Sequence, residues 1–172
     1  LDLRDYSRIG RRADQPGDHS LDDILGRALR RAPMPDGFSL SVHGGGSLHG
    51  PANELTLLFA ALISNAVKHH DRGHGAITLS LGPGPMRPCE FSDDGPGIPP
   101  RFHEPVFDML RTLRPRDQCE GSGMGLPIAR RIVTRLGGEI AIKPATTSEQ
   151  RRGTTVAFTL PGQAPDRPAR MN

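Results

Sequence analysis

Apolar residues recur at three- and four-residue spacing in some stretches of this chain and at two-residue spacing in others. Leu21, Ile24, Leu25, Ala28 and Leu29 trace the apolar face of a helix. Ser20 precedes it and Asp23 follows three places later, an arrangement like a capping box. Residues 53–70 and 126–136 are periodic in the same way, and Gly137-Gly138 stops the second of these helices. Leu3, Tyr6 and Ile9 make residues 1–10 a shorter amphipathic piece that looks like the end of a longer helix. Strict alternation predicts strands at 38–43, 76–81, 139–143 and 154–160, with a shorter one at 89–92. Residues 11–19 read as a polar linker, and the Pro-, Arg- and Asp-rich tail 162–172 as disordered. Helix, strand, helix, strands, loop, helix, strands is an α/β order. It predicts a two-layer α/β sandwich, one mixed sheet covered on one face by helices.

At 172 residues the chain fits one domain of ordinary size. With 4% aromatic residues and no Trp, its core must be built mainly of Leu, Ile, Val and Ala. Cys89 and Cys119 form no metal-binding spacing and read as reduced thiols of a cytoplasmic protein. No run approaches the ~18 apolar residues needed to span a membrane, and no signal peptide opens the chain. It begins at Leu1, so it reads as a piece of a longer protein in which a membrane anchor could lie upstream. The net charge of +3 is scattered, without the aromatic-interleaved basic patch of a nucleic-acid binder. Twenty of the 22 basic residues are Arg, which makes the retained Lys68 a hint of a place for a compact point charge.

Three groups of residues carry candidate chemistry. On the helix at 53–70, Leu55, Phe59, Leu62 and Ala66 face one way, while Glu54, Asn65 and Lys68 share another stripe. Asn is unfavourable inside a helix. An Asn one turn before a Lys suits a metal–phosphate site, the amide oxygen for Mg²⁺ and the ammonium for phosphate; the stripe also fits a solvated polar face. Ser92-Asp93-Asp94-Gly95-Pro96-Gly97-Ile98 makes a sharp turn after a strand, and its carboxylate could meet a donor such as an adenine amino group or simply shape the turn. Gly121-Ser122-Gly123-Met124-Gly125-Leu126-Pro127 opens a helix with closely spaced glycines, suited to phosphates at the helix start. It is neither a Rossmann fingerprint nor a P-loop. Residues 99–120, between the two glycine turns, resemble a lid.

Taken together these residues name a family. Asn65-Ala66-Val67-Lys68, Asp93 to Ile98, His103-Glu104-Pro105-Val106-Phe107 and Gly121 to Leu126 resemble, in order and spacing, the N, G1, F and G2 boxes of sensor histidine kinases. Gly153-Thr154-Thr155 resembles their last short motif, and the likeness runs over residues 20–161. It implies the Bergerat ATP-binding fold of the GHKL superfamily, with a flexible ATP lid.

The resemblance also implies roles. Asn65 would bind Mg²⁺, Lys68 a phosphate, and His69 would lie near the nucleotide. Asp93 would take the adenine amino group, with Gly95, Gly97 and Ile98 around it and Phe107 holding the lid. Gly121, Ser122, Gly123, Met124, Gly125 and Leu126 would line the phosphates, Thr154 or Thr155 would reach the adenine through water, and Arg114 and Arg116 could swing to the γ-phosphate. Two positions depart from the pattern: Ala61 stands where these kinases carry a second Asn or a His, and Leu110 where the F box has a second Phe. The hydrolysing relatives have a Glu at position 61, so transfer is favoured over hydrolysis. None of His19, His43, His49, His69, His70, His74 and His103 sits in a His-Glu/Asp-Leu-Arg setting. The acceptor is therefore expected on a dimerisation domain of which residues 1–12 are the end, in a homodimeric protein that relays to a response-regulator receiver. A degenerate ATP-binding regulatory module and an anti-sigma-type serine kinase share the fold and stand as alternatives.

Overall fold

A computed structural model describes residues 1–11, 14–108, 124–144 and 152–163. In chain order these form α1 (Leu3–Arg8), β1 (Pro16–Ser20), α2 (Leu21–Arg31), β2 (Phe38–His43), β3 (Ser47–Pro51) and α3 (Ala52–Lys68). Then come β4 (Gly75–Leu81), β5 (Met86–Asp93), two short 3-10 turns, α4 (Gly125–Arg135), β6 (Ile140–Pro144) and β7 (Thr154–Pro161). The central sheet has the order β2-β4-β5-β7-β6. Only β2 and β4 run parallel among the described pairs, so the sheet is mixed as expected.

One apolar layer joins this sheet to its helices. Ile77, Leu79 and Leu81 of β4, Cys89 and Phe91 of β5, and Val156, Phe158 and Leu160 of β7 alternate inward. They meet Leu55, Leu58, Phe59 and Leu62 of α3 and Ile128, Ile132 and Val133 of α4. Phe59 sets its ring edgewise on Phe158 at 6.2 Å, the favoured aromatic geometry. The Ser20 hydroxyl accepts from the Asp23 N–H at 3.1 Å and starts α2 where the spacing predicted. Burial pushes the Cys89 thiol up to about 12, which makes it a core residue rather than a nucleophile. Among the described residues no helix is long and apolar enough to cross a membrane.

Three expectations are corrected. Residues 11–19 are not wholly linker, because Pro16–Ser20 pairs antiparallel with Ser47–Pro51 as a separate two-stranded ribbon. Its Pro and Gly residues hid the alternation. β5 begins at Met86 rather than Cys89. Pro88 is tolerated because it lies past the last β4 pair, Leu81–Cys89, and its carbonyl accepts from Gly82. Third, Glu54 is not part of a solvated stripe. It is buried, and its Oε1 accepts from Arg135 Nε at 2.9 Å. The stripe that begins with Glu54 runs along α4, with Glu54 at its last turn and Asn65 at its first.

Candidate functional site

Three chain segments converge at one end of the sheet: the last turn of α3, the end of β5, and the start of β7. Asp93 is the last residue of β5 and pairs in register with Thr154, the first of β7. Burial pushes the Asp93 carboxyl up, while N–H groups of Gly95 and Thr154 act in the opposite direction. The Gly95 N–H donates to Asp93 Oδ1 at 2.9 Å, closing the turn that the Asp-x-Gly-x-Gly pattern predicted. Gly97 has φ +81°, and a Cβ there would lie 3.1 Å from the Gly153 carbonyl oxygen. Gly153, at φ +104°, leaves no room either, since its Cβ would sit 2.0 Å from the Asp93 carbonyl oxygen. Thr154 and Thr155 are buried, and the Thr155 hydroxyl shares a 2.8 Å hydrogen bond with Ser92. Ile98 packs against the edge of the core.

Asn65 is half-buried on α3. Its Cβ stands 3.7 Å from the place a Cβ of Gly125 would take, and the Ala61 carbonyl 3.4 Å from it. The last described glycine of the Gly-rich segment, the first residue of α4, is therefore packed against the Asn65 turn. Met124 caps α4 with its side chain fully buried, and Leu126 also points into the core. For both, only the backbone is left to meet a phosphate. Lys68 ends α3 and is exposed; it also borders a groove of about 320 Å³ shared with Arg31 and Pro33. His69 is the C-cap of α3, its N–H donating to the Asn65 carbonyl at 3.1 Å.

Phe107 is buried at the end of a 3-10 turn, as its place in the lid segment predicted. Arg130 of α4 lies 5.4 Å over its ring and bonds Glu104 Oε1 at 2.8 Å, fastening the segment's beginning to α4. Sequence reasoning missed Arg130; its place one turn into α4 on the exposed face was the available signal. Arg114, Arg116, Leu110, Gly121, Ser122 and Gly123 lie outside the described residues.

The residues present fit a purine nucleotide. A desolvated carboxylate, which accepts hydrogen bonds when ionised, ends a strand beside backbone stripped of Cβ atoms, and an amide side chain faces the glycine that starts a helix. Residues 50–164 match the family described as histidine kinase-, DNA gyrase B- and HSP90-like ATPase. The chain belongs to that family.

Among relatives of this ATPase domain, it is 33% identical over 166 residues to the methanogenesis regulatory histidine kinase FilI of Methanothrix harundinacea. It is 31% identical over 170 residues to the signal transduction histidine-protein kinase/phosphatase MprB of Mycolicibacterium paratuberculosis. These alignments take in 93% and 95% of the chain but only 18% and 32% of the two relatives. In solved structures, a mycobacterial sensor histidine kinase MprB superposes with a TM-score of 0.73 at 25% identity, over 88% of this chain and 99% of that one. The ATP-binding domain of PrrB from Mycobacterium tuberculosis shares the fold, with a TM-score of 0.64 at 22% identity over 88% of this chain and all of that one. Ala61 is fully buried, with its carbonyl close to the start of α4. No carboxylate can act from that position.

Proposed function

We propose that this chain is the ATP-binding catalytic domain of a sensor histidine kinase. It offers the γ-phosphoryl group of Mg²⁺-ATP to a histidine on a dimerisation domain outside this chain, for relay to an aspartate of a response-regulator receiver. The arrangement that carries the reading is Asn65 held against Gly125 at the start of α4, at the same end of the sheet as the half-buried Asp93. Asp93 would hold the adenine amino group, Asn65 the metal, and Lys68 with the backbone of Met124 and Gly125 the phosphates. Bound ATP supplies the transferable phosphoryl group, and Mg²⁺ offsets the charge on its phosphates. The chain's own part is to orient the nucleotide and neutralise charge. A base for the accepting histidine would belong to the acceptor domain. α1, fastened by buried Ile9 and by Arg131 of α4 4.6 Å over the Tyr6 ring, would be the end of the helix leading to that domain.

Ala61 favours transfer over hydrolysis, because position 61 holds no group to activate water. The expectation that the accepting histidine lies outside this chain is tested by labelling. With γ-labelled ATP the chain should bind nucleotide and remain unlabelled, and acid-labile label on one of its own histidines would overturn the assignment. Lys68→Ala should weaken ATP by up to about 1 kcal/mol, or about fivefold, the scale of an exposed ion pair. Adenosine affinity should be unchanged. Equal losses for both ligands by calorimetry would remove Lys68 from the phosphate site.

A further inference from the structure

Two consecutive residues after α3 reach across to the two strands that frame the base site. The His70 side chain is 2% exposed, and its Nε2 lies 2.8 Å from Asp94 Oδ1. Its Nδ1 accepts the Arg72 backbone N–H at 3.2 Å, so the ring proton sits on Nε2 and is donated to Asp94. The same Asp94 oxygen accepts the Ala76 N–H at 3.0 Å, which ties the pair to the head of β4. Gly75 makes the room: a Cβ there would fall 2.5 Å from His70 Nε2 and 2.7 Å from Asp94 Oδ1. Phe38 closes the other side, its ring edgewise to the imidazole at 5.4 Å. The next residue, Asp71, is paired with Arg152, immediately before Gly153. Although partial burial opposes it, the His70 and Ala76 hydrogen bonds hold the Asp94 carboxyl below its usual range; the Arg152 hydrogen bond does the same for Asp71.

These bonds join His70 to the residue after Asp93 and Asp71 to the residue before Gly153, the glycine packed on the Asp93 carbonyl. We propose that His70 is a positioning residue for base recognition: with Asp71 and Arg152 it clamps the end of α3 to the turn that carries Asp93 and so sets where that carboxylate points. The inference rests on the assignment of Asp93 to the adenine made above. The clamp is polar on a nearly dry side chain, where direction is held more tightly than in water. It also fixes the spacing between Asp93 and the Asn65–Lys68 turn, so that base and phosphates are read in register.

The readout that separates aiming from general stability is the ratio of ADP to IDP affinity, since IDP lacks the 6-amino group. On the full chain, calorimetry with each nucleotide should show a preference for ADP in the wild type. His70→Asn can keep an acceptor near Nδ1 but falls short of Asp94, and should cut that preference about five- to tenfold. His70→Gln can place an amide N–H near Nε2 and should retain it. Asp71→Asn, at a site 35% exposed and so safe for folding, should cut it about two- to threefold. An unchanged ratio in folded His70→Asn, or in Asp71→Asn if the former does not fold, overturns the clamp. A wild type that binds ADP and IDP equally overturns the adenine assignment itself, and the clamp with it.

Discussion

Asp93→Asn should weaken ADP binding by about 1.5–3 kcal/mol, roughly 10- to 150-fold, the worth of a hydrogen bond to a charged group. The same substitution should make the empty protein more stable at neutral pH. Both effects follow from the carboxyl being pushed above its ordinary value of 3.8 by burial. A folded-state value raised above the unfolded one means that the native protein holds this proton more tightly. The stability so gained is fully present below the ordinary carboxylate value and is lost as pH rises through the folded value. Above the folded value the carboxylate is ionised in both states and the native state carries its desolvation. An Asn keeps an oxygen for the Gly95 N–H, now 2.9 Å from the carboxylate, but has no charge to desolvate. Thermal melts of the two proteins should therefore diverge towards neutral pH and converge in acid, while calorimetry shows the ADP loss. A variant that binds ADP as well as wild type would make Asp93 a turn residue only. One that melts lower at every pH would refute the desolvation account.

What could be read from residue order was whatever interrupts a regular pattern. Asn65 breaks an apolar helix, Gly95 and Gly97 follow a strand, Gly125 starts a helix, and these breaks fall at the candidate site. α3 was placed to within two residues because its apolar face continues over four turns. The ribbon of β1 and β3 could not be seen, since Pro16, Gly17, Gly50 and Pro51 argue against strands unless a partner is known. Glu54 misled for another reason. A helical stripe says which residues share a side, not what that side faces, and here it faces α4 through Arg135. The clamp was equally hidden: His70 and Asp94 are 24 residues apart and Asp71 and Arg152 are 81, and nothing local joins them. His70, unlike His69, read as an unremarkable histidine until the fold placed Gly75 and Phe38 around it.

Gly153→Ala should cost about 2–4 kcal/mol of stability and weaken ADP binding with it. Two terms add. The residue sits at φ +104°, where an L side chain is strained by about 1–3 kcal/mol. Its new methyl would also lie 2.0 Å from the Asp93 carbonyl oxygen, 3.0 Å from the Asp93 carbonyl carbon and 3.3 Å from Asp94 Cα. All three are backbone atoms, so no flexible side chain can swing away, and relief requires the Asp93 turn or the head of β7 to move. Either movement disturbs the Thr154 N–H that faces the Asp93 carboxylate, and with it the aim of the base-reading group. Gly73→Ala is the matched control: φ is +70° there, but nothing lies within 4 Å of the added carbon. It should cost only the left-handed backbone term, about 1–2 kcal/mol, and leave ADP affinity intact. Chemical denaturation and ADP titration of both variants give the comparison. If Gly153→Ala loses no more stability than Gly73→Ala and binds ADP like wild type, the close packing of β7 on the Asp93 turn does not shape the site.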